Sequence, residues 1–140
     1  MFTASSAYGE GMKILTVIWK HYDKDGETCN RCGKTGENVR QMTAELKQEL
    51  FEKGIDLVYR EKKLSKEHID ESNTILLNSV PLERYLPQTS VRHTSCDSCS
   101  CLAGVDVSCR AVVHKGTIHE DVPREFLVKA IRQAVRGIVK

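Results

Sequence analysis

A strand pattern, a helix pattern and a second strand pattern follow one another between residues 13 and 59, and this order constrains the fold most. Lys13–Trp19 is a short, apolar run rich in β-branched residues, which is typical of a buried strand. Apolar residues then repeat at helical spacing up to Gly54, at Val39, Met42, Leu46 and Leu50. Ile55–Tyr59 alternates like a second strand. A strand–helix–strand unit favours parallel strands, so we predict an α/β fold.

The remaining patterns continue this alternation. Ser65 can cap a short helix through its hydroxyl, and Thr74–Leu77 is a third strand followed by a turn at Asn78-Ser79. A hairpin is expected around residues 110–118, and Pro123 opens a last helix that is apolar on one side. The predicted order is therefore strand, helix, strand, short helix, strand, hairpin and helix.

The first two cysteines, Cys29 and Cys32, lie between the first strand and the first helix pattern. A C-x-x-C pair can close a small disulfide ring or supply two ligands to a metal. A chain of 140 residues buries a core without disulfide staples, and its start shows no secretory signal, so we expect a cytoplasmic protein. In that compartment the pair is expected to be redox-active or metal-binding, with unremarkable thiols as a third alternative.

In the redox interpretation Cys29 is the attacking, catalytic thiolate and Cys32 resolves the mixed disulfide. Cations and helix N-termini stabilise thiolates, and Arg31 and Lys34 stand nearby. The helical pattern begins near Glu37, however, which predicts a turn of chain between the pair and the helix dipole.

Four further cysteines fall in a segment, about 88–109, that has little periodic apolar content and is expected to form a cysteine-rich loop or an inserted lobe. They are Cys96, Cys99, Cys101 and Cys109. The first three are soft donors within six residues, and Cys109 or His93 can complete the four ligands of a zinc site. Mercury, arsenic and copper(I) suit the same thiolates. Three other interpretations of these four cysteines stay open: a redox relay with the first pair, a metal shared by both groups of cysteines, and inert loop cysteines.

The element order, with a cysteine pair directly after the first strand, resembles thioredoxin-like and glutaredoxin-like proteins. The stretch 12–136 further resembles a family of uncharacterised prokaryotic thioredoxin-like proteins. Three motifs carry that resemblance: Cys29-x-x-Cys32-Gly-x-Thr-Gly36, Ile75-Leu-Leu-Asn-Ser-Val-Pro81-Leu-Glu83 and Cys96-x-x-Cys99-x-Cys101. The resemblance implies a thioredoxin-like three-layer α/β sandwich with a mixed sheet and a cysteine-rich loop insertion. It implies a fold more strongly than an activity.

This chain departs from thioredoxin at three places. Glu27-Thr28 precedes Cys29, where thioredoxin has a Trp before its first cysteine. Asn30-Arg31 stands between the cysteines where thioredoxin has Gly-Pro. The thioredoxin fold usually has a cis-proline just before its third strand, facing the disulfide, whereas the matching position here is near Ser72-Asn73.

We therefore expect a flexible tail at 1–11 and a single thioredoxin-like domain at 12–140. The expected function is thiol–disulfide redox chemistry that requires no cofactor, with soft-metal binding without turnover as the alternative. Enzymatic turnover as an oxidoreductase is left open. The expected partner is a protein or small-molecule disulfide, or a thiophilic metal ion. The formal net charge of +2 does not call for nucleic acid, and no stretch is apolar enough for a membrane span.

Overall fold

A four-stranded mixed sheet forms the first half of the fold in the computed structural model, which describes residues 12–96, 100 and 102–138. Its strands are β1 (Lys13–Tyr22), β2 (Ile55–Leu64), β3 (Thr74–Leu77) and β4 (Val80–Pro81). They lie in the order β2-β1-β3-β4. β2 runs parallel to β1, β3 runs antiparallel to β1, and β4 runs antiparallel to β3. The predicted α/β class, mixed sheet and parallel first pair are confirmed.

Helix α1 (Asn30–Glu52) connects β1 to β2 and covers the sheet with its apolar side. The predicted core positions of this helix are all buried: Val39, Met42, Leu46 and Leu50. The prediction that α1 begins near Glu37 is wrong, because the helix begins at Asn30 and contains Gly33 and Gly36. Glycine weakens a helix, but here packing against β1 outweighs that local preference.

A second, antiparallel sheet follows β4 and consists of β5 (Thr89–Ser95), β6 (Ser108–His114) and β7 (Thr117–His119). The predicted hairpin is present as β6 and β7. β5, however, lies in the segment for which little regular structure was predicted. Its side chains are half-buried or exposed without a regular alternation, and most are polar, so hydrophobic periodicity could not reveal it.

The structure also contains two 3-10 helices (Lys66–Glu71 and Leu82–Tyr85) and the last helix, α2 (Arg124–Ile138). Ser65 precedes the first 3-10 helix, but its side chain makes no capping hydrogen bond, so that prediction is wrong. The apolar side of α2 is buried as predicted, through Phe126, Leu127, Ala130, Ile131 and Ala134. None of the described helices is long and apolar enough to cross a membrane. The expected tail at 1–11 lies outside the described residues.

Trp19 fixes how closely α1 approaches β1. Its side chain is buried and its ring stacks on the imidazole of His21, with centroids 3.9 Å apart. A Cβ atom placed on Gly36 would lie 2.3 Å from the Trp19 ring, far closer than van der Waals contact. Gly36 therefore lets the start of α1 pack directly on the indole near the carboxyl end of β1.

We predict that Gly36→Ala lowers the free energy of unfolding by about 1–3 kcal/mol, because the added methyl must displace the Trp19 ring. Gly33→Ala is the matched control on the same helix, since its Cβ would meet no atom within 4 Å. Gly33→Ala is expected to raise the free energy of unfolding by about 0.5–1 kcal/mol, because alanine has a higher helix propensity than glycine. Urea unfolding followed by circular dichroism measures both. Equal effects of the two substitutions would contradict this packing account.

Candidate thiol site at the start of helix α1

Cys29 is the N-cap residue of α1. Its backbone is extended, with φ −67° and ψ 156°, and the backbone N–H of Cys32 donates to its Sγ over 3.5 Å. The N–H of Gly33 donates to the Cys29 carbonyl over 2.8 Å. The unpaired N–H groups and the dipole of a helix N-terminus favour negative charge at this position. The predicted gap between the cysteine pair and the helix is thus wrong: the pair forms the first turn.

Cys32 is fully buried, and its Sγ lies 3.1 Å from the hydroxyl oxygen of Ser72. Ser72 is also fully buried, and its oxygen accepts a hydrogen bond of 2.8 Å from the backbone N–H of Tyr22. Ser72 stands between the first 3-10 helix and β3. The segment before the third strand therefore faces the cysteine pair with a hydroxyl group.

Arg31, the residue that precedes Cys32, turns its guanidinium toward the second sheet. The residue is only 8% exposed, and its side chain donates to four backbone carbonyl oxygens. These belong to Ser95 (3.4 Å), Cys109 (3.0 Å), Arg110 (2.8 Å) and Glu120 (3.1 Å). The Glu120 carboxylate lies a further 3.8 Å from the guanidinium. The positive charge of Arg31 is thus shared with carbonyl dipoles of the second sheet, whereas Lys34 is exposed.

Three more polar side chains hold the segment after β7 against the first sheet and α1. The Asn73 amide donates to the carbonyls of Arg110 (3.2 Å) and Glu120 (2.8 Å), which Arg31 also contacts. Thr35 Oγ1 accepts from the N–H of Val122 over 2.9 Å, and the Asn38 amide donates to the Val122 carbonyl over 3.0 Å. The start of α1 is consequently cross-linked to the second sheet and to the chain that follows it.

Cys109 supplies one of the carbonyls that Arg31 contacts, and Cys96 directly follows Ser95, which supplies another. Both are buried, and both belong to the hydrophobic core that also contains Cys29 and Cys32. Cys109 pairs with Thr94 across β5 and β6, and the N–H of Cys96 donates to the Val107 carbonyl over 3.1 Å. The two other predicted metal ligands, Cys99 and Cys101, lie outside the described residues.

His93, the alternative fourth ligand, lies apart from these thiols. It pairs with Arg110 in the β5–β6 ladder, on the face opposite Cys109, and it is exposed. Its Nε2 is 3.0 Å from the Asp70 carbonyl oxygen. Across residues 12–96, 100 and 102–138, no three His, Cys, Asp or Glu side chains are grouped so that they could hold a metal ion.

Ser72 is the site residue that sequence reasoning did not assign to chemistry. Its position was expected to face the pair only through the thioredoxin resemblance, and its contact with Cys32 joins residues 40 positions apart. A serine between two secondary-structure elements does not by itself indicate a functional role. An unusual polar residue where a related fold places a proline was the one available clue.

The chain belongs to the DUF2703 family, described as a domain of unknown function, whose model matches residues 15–131. This range contains all six cysteines. The chain is 32% identical over 117 residues to an uncharacterised protein of Archaeoglobus fulgidus, and the alignment covers 81% of this chain and 82% of the relative. No solved structure matches the chain. The predicted membership of an uncharacterised family is confirmed, and neither comparison indicates an activity.

We predict that Arg31→Met lowers the free energy of unfolding by about 2–4 kcal/mol, because charged donors to several buried carbonyls are lost. Amide hydrogen exchange is expected to accelerate at Ser95 and at residues 108–110. Lys34→Met is the matched control, an exposed cation on the same helix, and should change stability by less than about 0.5 kcal/mol. If exchange in the second sheet were the same in both variants, Arg31 would not be its anchor.

Proposed function

We propose that the protein is a thiol–disulfide redox protein in which Cys29 and Cys32 alternate between dithiol and disulfide. The observation that carries this proposal is the position of the pair at the helix N-terminus. Cys29 caps α1, and the Cys32 N–H points at the Cys29 sulfur. A thiolate in this place receives both a hydrogen bond and the favourable end of the helix dipole, and a second thiol stands within the same turn.

The reaction runs in two exchange steps. The Cys29 thiolate attacks one sulfur of a substrate disulfide, forms a mixed disulfide and displaces the first substrate thiolate, which takes up a proton. The Cys32 thiolate then attacks Cys29 Sγ, forms the Cys29–Cys32 disulfide and displaces the second substrate thiolate. Two electrons pass from the pair to the substrate, which leaves as two thiols. An external dithiol restores the pair by the same exchange in reverse, so no cofactor is required.

The mixed sheet supports a thioredoxin-like version of this proposal. The cysteine pair follows β1 at the first turn of α1, and the segment before β3 faces the pair through Ser72. Both features are what the resemblance to thioredoxin-like proteins implies. The second sheet stands between β4 and α2 as an insertion, and in this proposal it modulates the pair through Arg31.

Soft-metal binding without turnover is the second candidate. Its support is that Cys29, Cys32, Cys96 and Cys109 are all buried in one hydrophobic core, although no three of these described thiols are grouped as metal ligands. Soft cations such as zinc, mercury and copper(I) prefer thiolate ligands, and arsenic shares this preference. Under this proposal the thiols serve as ligands, so stoichiometric metal would block them, whereas redox exchange requires them accessible to a substrate disulfide.

The assay measures the rate at which dithiothreitol reduces glutathione disulfide in the presence of the protein. We predict that Cys29→Ser lowers this rate to that of the uncatalysed reaction, because the attacking sulfur is lost. Metal-free wild-type protein is expected to accelerate that reaction. Cys109→Ala serves as the matched control, since it removes a buried thiol outside the pair. It is expected to retain exchange. Exchange that continued unchanged in Cys29→Ser would refute the assignment.

A further inference from the structure

The hydroxyl oxygen of Ser72 contacts both the backbone of β1 and the cysteine pair. Its oxygen accepts from the Tyr22 N–H over 2.8 Å and lies 3.1 Å from Cys32 Sγ. The backbone N–H of Ser72 is also engaged, with the Ile69 carbonyl over 3.0 Å. Because a lone pair of the oxygen is occupied by Tyr22, the hydroxyl hydrogen is free to point at the sulfur.

The burial of Cys32 and Ser72 increases the effect that a hydrogen bond from Ser72 has on the charge of the Cys32 sulfur. Cys32 and Ser72 are both at 0% exposure, so water does not solvate the sulfur. A buried group without hydrogen-bond donors resists ionisation, whereas a hydrogen bond to the charged form favours it. Hydrogen bonds to ionised acceptors are roughly twice as strong as neutral ones.

We propose that the Ser72 hydroxyl donates to the Cys32 thiolate and is a catalytic residue of the resolving step. This inference rests on the proposed redox function and adds the group that prepares Cys32 for attack. In that step Cys32 loses its thiol proton, which the departing substrate thiolate takes up, and the Ser72 donor holds the resulting Cys32 thiolate. The thiolate bonds to Cys29 Sγ, the bond between Cys29 and the substrate sulfur breaks, and the substrate thiolate leaves with the electron pair and takes up that proton.

Other charged or titratable groups surround the pair and must be held constant. Such groups on the elements of this core and junction include Lys20, His21, Tyr22, Cys29, Arg31, Asp70, Glu71, Cys96, Cys109, Arg110 and Glu120. Glu71 is paired with Lys20 at 3.2 Å, and His21 with Glu61 at 2.5 Å. All of these groups are retained in a Ser72 variant, so a difference from wild type reports the hydroxyl.

The resolving step can be followed with a chromogenic aromatic disulfide, dithionitrobenzoate. Attack by Cys29 releases one coloured thiolate, and attack by Cys32 on the mixed disulfide releases a second. The Cys32→Ser trace, which lacks the second release, is subtracted to remove the contribution of the other cysteines. The rate of the second release is then measured as a function of pH for wild type, Ser72→Ala and Ser72→Thr.

The pH midpoint of the second release is compared between wild type and the two variants. Ser72→Ala is expected to raise the midpoint by about one pH unit and to slow the second release about tenfold at neutral pH, which corresponds to about 1.4 kcal/mol. Ser72→Thr keeps the hydroxyl, so its midpoint and its rate of second release are expected to stay close to those of wild type. A purely structural role of Ser72 would lower stability without moving the midpoint.

An unchanged midpoint and rate in Ser72→Ala would overturn the inference while leaving the redox function intact. If Ser72→Ala does not fold, by circular dichroism, Ser72→Gly, which also lacks the hydroxyl, replaces it in the comparison, and an unchanged midpoint in that variant overturns the inference. Complete absence of the second release in wild type would refute the proposed function as well, because Cys32 would then not resolve the mixed disulfide.

Discussion

The buried guanidinium of Arg31 is the interaction on which the rest of the structure depends. It stands within the C-x-x-C segment, and it donates to carbonyls of β5, of β6 and of the chain after β7. A buried cation is tolerated only when its donors are satisfied, so these carbonyls must stay in place. The cysteine pair and the second sheet are therefore held as one unit, and the two cysteine groups share a core.

Opposing effects act on the two thiols of the pair. Burial disfavours a charged sulfur, whereas the helix N-terminus at Cys29 favours it. Under the proposed redox function, the Ser72 hydroxyl gives Cys32 a donor as well, so that each sulfur has a hydrogen-bond donor for its charged state. Metal ligation uses the same thiolates, so the two candidate functions compete for one set of residues.

Local patterns predicted much of the first sheet. Short-range periodicity, which is a property of the elements themselves, predicted strands at 13–19 and 55–59 and the buried positions of α1. In the structure the two strands extend further, to residues 22 and 64. The start of α1 was missed because Gly36 is a poor helix former that is required by Trp19, a residue on another element. β5 was missed because most of its side chains are polar. The contacts of Arg31 with β6 join residues 78 and 79 positions apart, and no local pattern reports such distances.

The most direct test is to determine metal content and free thiols in protein purified without oxygen or chelator, and to repeat the thiol count after mild oxidation. The redox account predicts metal-free protein with all six cysteines titratable. Mild oxidation should then remove two thiols, and peptide mapping should locate the new disulfide between Cys29 and Cys32. Stoichiometric zinc or another thiophilic metal that masks the pair, or a disulfide that excludes Cys29, would contradict it.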